Sequence, residues 1–201
     1  LAPDHVYPAQ LDDALAAYRA LLDRVEPNRI ALAGDSAGGN LALALMLRLR
    51  ELKLPLPVAF AGYSPWTDLT HSGASITQNA ERDNTIPVTM LGPIAGFYCG
   101  GNDPRDPLIS PLFGNHAGLP PMQLHVAQEE VLLDDTLRLV DSVRAAGGEV
   151  DYRVWKNMPH AFPVYAEIIP EGRAALRQSG AFLREHFAAD AIAAAMPEPA
   201  L

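Results

Sequence analysis

Apolar residues recur at two periods along this chain, and their alternation outlines the architecture. Leu11, Leu15, Tyr18, Leu22 and Val25 fall at helical spacing, with Asp12 and Asp13 in a first turn where negative charge favours the helix dipole and Pro27 closing the helix. The runs at residues 30–33 and 57–63 are apolar on both faces, which predicts central parallel strands covered by helices on each side. Residues 122–127 predict a third strand. Residues 150–154 alternate apolar with charged positions, as suits a strand at or near a sheet edge. Strong helix formers fill residues 40–52, and further helices are predicted at about 133–146, closed by Gly147-Gly148, and at about 173–187.

Strand and helix alternate from residue 29 to 187, so the expected class is α/β, with a mostly parallel sheet and right-handed crossovers. Residues 64–121 break the alternation. They separate two strands by far more than an ordinary connection and carry Pro65, Pro87, Pro93, Pro104, Pro107 and Pro111, so they are expected to form a structured, lid-like insertion. Residues 188–201 are alanine-rich, end in Pro197-Glu198-Pro199, and are expected to form a flexible tail. With 201 residues and 49% apolar content, the whole chain suits a single domain with one sizeable core.

Charge and cysteine content narrow the partners. A net charge of −9 without a run of Lys or Arg argues against nucleic acid and anionic membrane surfaces. No stretch of about eighteen uninterrupted apolar residues predicts a membrane-spanning helix. The single cysteine, Cys99, has no partner for an internal disulfide and fits a reducing compartment, so a cytoplasmic location is expected.

The sharpest chemical signal is Gly34-Asp35-Ser36-Ala37-Gly38-Gly39, placed between a predicted strand and a predicted helix. A strand that turns abruptly into a helix strains the residue at the corner, and glycines two before and two after let the backbones approach without Cβ clashes. Ser36 is therefore the candidate nucleophile. The segment does not have the Gly-x-Gly-x-x-Gly spacing of a dinucleotide-binding turn.

A serine hydroxyl needs a base within hydrogen-bond reach, and the base needs an acid to fix its tautomer. In an α/β architecture with such an elbow the order is Ser, acid, His. His160 lies in a loop after the last predicted strand, where its imidazole can return over the sheet; His5, His71, His116, His125 and His186 do not match that order and position. The acid should follow the third strand, in Gln128-Glu129-Glu130-Val131-Leu132-Leu133-Asp134-Asp135. Asp134 and Asp135 also suit the first turn of the next helix, whereas Glu130 is better placed on the loop, with Glu129 next.

Taken together, Gly34-Asp35-Ser36-Ala37-Gly38-Gly39, Ser64-Pro65-Trp66-Thr67-Asp68-Leu69, Ile109-Ser110-Pro111-Leu112, Gly118-Leu119-Pro120-Pro121 and Met158-Pro159-His160-Ala161-Phe162 make the chain resemble the hormone-sensitive-lipase-like branch of the α/β-hydrolases, bacterial esterases of modest size. The resemblance runs from Leu1 to about Phe187. It implies the C-terminal portion of an α/β-hydrolase fold and a serine carboxylesterase acting on short-chain acyl esters, a small-molecule substrate, with no metal or organic cofactor. The family's acid-x-Leu-x-Asp pattern falls on Glu130-Val131-Leu132-Leu133-Asp134, which puts the acid at Glu130, a glutamate where aspartate is commoner. The N–H of Ala37 is implied as an oxyanion donor.

Relatives carry an upstream His-Gly-Gly motif that completes the oxyanion hole, and the resemblance implies that about 100 residues holding it, at about 30 per βαβ unit, precede the family's equivalent of Leu1. The strand before Ser36 would then have an unpaired apolar edge, and the expectation there is poor solubility, association into a homo-oligomer, or dependence on a missing segment. Trp66, Phe97, Tyr98, Phe113 and Phe162 are either pocket walls or plain core. Rival readings are a lactonase or amidase with the same triad, a peptidase of the prolyl-oligopeptidase type, and a non-catalytic hydrolase remnant acting as an interaction domain.

Overall fold

Four short strands lie side by side, all parallel, in the order β1-β2-β3-β4. The computed structural model describes residues 1–195, with side-chain environments through residue 187. The strands are β1 (Leu32–Asp35), β2 (Phe60–Tyr63), β3 (Met122–Ala127) and β4 (Val150–Trp155). Leu32 is level with Phe60, Met122 and Val150 across the sheet, and Asp35 with Tyr63, His125 and Arg153. The helices are α1 (Ala9–Leu22), α2 (Ser36–Glu51), α3 (Ser75–Gln78), α4 (Val88–Cys99), α5 (Leu133–Ala145) and α6 (Pro170–Ala195).

The strands run where their side chains can be covered. Every residue of β3 is buried, and Phe60, Ala61 and Gly62 of β2 are buried too. Leu43, Met46 and Leu47 of α2 and Leu139, Val140 and Val143 of α5 meet Phe60, Met122 and Leu124 in the main core. The opposite side of α2 presents Ala44, Leu45 and Leu49 to Leu11, Leu15 and Tyr18 of α1, so α2 is apolar nearly all round because it is packed nearly all round.

Two boundaries differ from the pattern-based expectation. Residues 27–29 form a short 3-10 turn and regular β1 begins at Leu32, although Val58 N–H already donates to Ile30 O at 2.8 Å. Among the described residues β1 pairs only with β2, in line with the unpaired edge expected for the strand before Ser36, and Ala33 and Asp35 are exposed. At the other end, α6 extends to Ala195, so the tail expected from residue 188 begins inside a helix, and residues 196–201 lie outside the described residues.

Residues 64–121 contain α3, α4 and a 3-10 turn at Pro111–Phe113. Their apolar side chains form a second core in which Trp66, Leu69, Ile76, Leu91 and Ile109 pack with Val131 and Leu132. Polar ties fix the segment as well. Asn40 Nδ2 donates to Trp66 O at 2.8 Å and to Ile109 O at 2.9 Å. Asp135 Oδ2 accepts the N–H groups of Thr67 at 2.7 Å and Asp68 at 2.8 Å. Asp68 in turn accepts from Thr70, Ser72 and Arg138.

The two buried aspartates respond to pH in opposite ways. Burial pushes Asp68 up, but hydrogen bonds from Ser72, Thr70 and Arg138 outweigh it and hold the carboxyl below its ordinary value. Burial pushes Asp135 up to about 8, helped by the charge of Asp68. Between its unfolded value of 3.8 and about 8, folded Asp135 keeps a proton that the unfolded chain releases, so its contribution to stability falls as pH rises through that window. We expect the Tm of the wild-type protein to drop relative to that of Asp135→Asn as pH is raised from about 5 to about 9. Parallel Tm curves would contradict this assignment.

Candidate active site

Parallel strands place their C-terminal ends on one edge of the sheet, and that edge carries Ser36 after β1, Ser64 after β2, Glu130 after β3 and His160 after β4. At the first of these turns Asp35 is still extended, with φ −109° and ψ 148°, and Ser36 takes φ +48° before α2 begins. Only glycine fits on either side. A Cβ on Gly34 would stand 2.5 Å from Gly38 O, and one on Gly39 would stand 2.7 Å from the Cβ of Pro65. Ser36 O accepts the N–H of Trp66 at 3.1 Å, which ties the elbow to the segment after β2. The N–H of Ala37 belongs to the first turn of α2, where backbone donors have no intrahelical acceptor.

Glu130 and His160 meet. Glu130 is 1% exposed and its Oε2 lies 3.0 Å from His160 Nδ1, with His160 itself 8% exposed. A carboxylate accepts, so Nδ1 carries the proton and Nε2 is the free acceptor. Burial pushes the Glu130 carboxyl up, against the pull of His160 and of the Ser64 hydroxyl, while the nearby charge of Asp83 adds to the rise. Its other oxygen, Oε1, has no well-directed hydrogen bond, although the Ser64 hydroxyl interacts with the same carboxylate.

The loop that presents Glu130 is held by its neighbours. Asn79 Nδ2 donates to Glu130 O at 2.9 Å and to Gln128 O at 3.1 Å, and Val131 N–H donates to Asp83 Oδ2 at 2.9 Å. The other acids have separate partners. Glu129 Oε2 accepts Asn157 N–H at 2.9 Å, Asp134 Oδ2 accepts Ser75 N–H at 3.0 Å, and Asp135 holds residues 67 and 68.

His160 reaches back from the far strand. Phe162 is fully buried and packs its ring 5.3 Å from that of Trp155, which anchors the loop's end. Ala161, at φ +51°, donates its N–H to Ser64 Oγ at 3.2 Å, drawing the loop from β4 towards β2, the neighbour of the Ser36 strand. Among the described residues no hydrogen bond joins Ser36 to His160. Two of the other histidines are committed to structural partners. His125 accepts from Trp155 Nε1 at 3.1 Å and burial pushes it down to about 4, while His116 lies between Ser142 and Pro111 O.

A cavity of about 520 Å³ opens beside Ala37 and Gly38, walled by Leu41, Trp66, Leu69, Phe97 and Tyr98. Of the aromatic residues expected as walls or core, Trp66, Phe97 and Tyr98 line it. Phe113 lies instead under the Arg105 guanidinium, and Phe162 is core. A second, polar cavity of about 330 Å³ adjoins Glu130, between Arg82, Asp83, Glu129 and Asn157. Among the described residues no cluster of three or more His, Cys, Asp or Glu is arranged to hold a metal ion, and no helix is long and apolar enough to cross a membrane. Sequence reasoning did not single out Ser64, Asn79 or Asp83. Their task depends on contacts 48 to 97 residues away in the chain.

A sequence profile described as the alpha/beta hydrolase fold matches residues 1–164. An acetyl-hydrolase from Streptomyces hygroscopicus is 44% identical over 183 residues, which cover 90% of this chain and 61% of the relative. An esterase from Acinetobacter venetianus is 35% identical over 184 residues, covering 90% and 61%. The crystal structure of an esterase from the bacterial hormone-sensitive lipase family superposes with a TM-score of 0.90 at 43% identity, over 93% of this chain and 63% of that one. The chain thus spans about three fifths of the length of these curated relatives.

The elbow's steric demand is directly testable. Gly39→Ala must displace the Pro65 side chain and backbone or move α2, so we expect a loss of about 1–3 kcal/mol in stability. At Gly38, two residues past the corner, an added Cβ would meet nothing within 4 Å, and Gly38→Ala should leave stability unchanged or raise it by about 0.4–1 kcal/mol. Equal denaturation midpoints for the two variants would refute the close approach.

Proposed function

The chain belongs to the bacterial hormone-sensitive-lipase family of the alpha/beta hydrolase fold, and from that membership we propose that it is the catalytic portion of a serine carboxylesterase acting on short-chain acyl esters. The observation that carries the reading is the buried 3.0 Å contact between His160 Nδ1 and Glu130 Oε2, on the sheet edge that also holds the strained elbow serine. Two relatives carry the names acetyl-hydrolase and esterase, which supports ester chemistry here.

Ser36 Oγ attacks the ester carbonyl carbon and passes its proton to His160 Nε2. Glu130 holds the imidazole in the required tautomer and stabilises the imidazolium. The N–H of Ala37 donates to the oxyanion of the tetrahedral intermediate. As the intermediate collapses, the alcohol leaves with the proton from His160. Water then attacks the acyl-Ser36 carbonyl with His160 as base, which releases the acid and regenerates Ser36.

The apolar cavity beside Ala37 takes the acyl or alcohol part of the substrate. Leu69, Phe97 and Tyr98 come from the 64–121 segment, which supports a lid-like role for it. A lactone or amide would meet the same groups, so a lactone and an anilide should be assayed beside a nitrophenyl ester.

Two substitution sets test the assignment in the full-length protein. Ser36→Ala should lower hydrolysis of a short acyl nitrophenyl ester by on the order of 10⁴ or more, and retention of a tenth of the activity would sink the nucleophile. Among Glu130→Gln, Glu129→Gln and Asp134→Asn, the first should lose most in kcat. Equal damage from either of the others, with the fold intact, would move the acid elsewhere.

A further inference from the structure

We propose that Ser64 is a positioning residue of this site: its hydroxyl joins the end of β2 to the His160 loop and holds the imidazole and the Glu130 carboxylate in mutual register. The inference rests on the esterase reading and deepens it, because it names a fourth side chain on which the base's geometry depends.

The first observation is conformational. Ser64 follows directly on β2, is fully buried, and takes φ +49°, a region that glycine enters without steric cost and that other residues enter at about 1 kcal/mol or more. Its N–H is committed to His125 O at 2.7 Å, so the backbone is fixed there. A side chain kept in such a place has a task that hydrogen cannot perform.

The second observation identifies the task. Ser64 Oγ accepts the N–H of Ala161, the residue next to His160, at 3.2 Å. Ala161 sits at φ +51°, so the His160 loop is bent at the point where Ser64 holds it. The hydroxyl that accepts from Ala161 keeps its own proton to donate. It interacts with the Glu130 carboxylate and favours the ionised form, which burial opposes. One oxygen therefore bonds the loop that carries the base and lies near enough to the acid that orients it to favour its charge. Strand order makes the position apt, because β2 lies between the Ser36 strand and the Glu130 strand.

Ser64→Gly removes the hydroxyl while suiting the positive φ, so it separates positioning from folding. We expect its Tm to hold, its kcat on a short acyl nitrophenyl ester to fall on the order of 10-fold, and its KM to stay nearly constant. The Nδ1–H resonance of His160, read by NMR, should move from its wild-type position, because that proton lies against Glu130 Oε2 in the register that Ser64 holds. If Ser64→Gly does not fold, Ser64→Ala carries the test, and Ala161 shows alanine at the same φ in this site. Unchanged kcat in an active background overturns the proposal. If the wild-type protein proved inactive on esters, that reading would fail separately, and an unmoved His160 Nδ1–H resonance in Ser64→Gly would then overturn the role of Ser64 by itself.

Discussion

Parallel alignment is the constraint from which the rest follows. Because all four strands run the same way, each ends on the same edge of the sheet, and four segments distant in sequence deliver Ser36, Ser64, Glu130 and His160 to one place. The helices that return the chain between strands supply the apolar faces that bury the sheet. Had any strand been reversed, the residue that follows it would lie at the opposite edge, about 13 Å away for a four-residue strand.

That edge concentrates conformational and electrostatic cost. Ser36, Ser64 and Ala161 all have positive φ near 50°, each a conformation that costs about 1–3 kcal/mol unless surrounding packing enforces it. Glu130 is buried with only part of its hydrogen-bonding capacity well directed. These costs are offset elsewhere, by α2 packed against both α1 and the sheet and by Asp68 and Asp135 locking the 67–72 segment beneath. A rigid surround is what lets a strained serine and a buried acid persist, and neither tolerates much slack.

Much of this was legible in the sequence because its signals are local. Periodicity located the four strands, α1, α2 and α5 to within a few residues, but it missed α4 and the far end of α6. The glycine pattern marked Ser36, although only Gly34 and Gly39 stand where a Cβ would clash and Gly38 has open space. Glu130 stood out from Glu129 by loop position and family register, and only Glu130 reaches the imidazole. What escaped was non-local. Asp135 looked like a helix first-turn acid, and it does begin α5, yet its carboxylate is spent on backbone N–H groups 67 and 68 residues away in sequence. Ser64 lay inside a recognisable motif, but its strain and its bond to Ala161 have no sequence signature.

The most direct test of the account is covalent. Full-length protein treated with a fluorophosphonate should carry a single adduct, mapped by peptide mass spectrometry to Ser36, and His160→Ala should abolish labelling while the fold is retained. An adduct on another residue, or labelling of Ser36 that persists at the wild-type rate without His160, would contradict a nucleophile activated by the Glu130-held histidine.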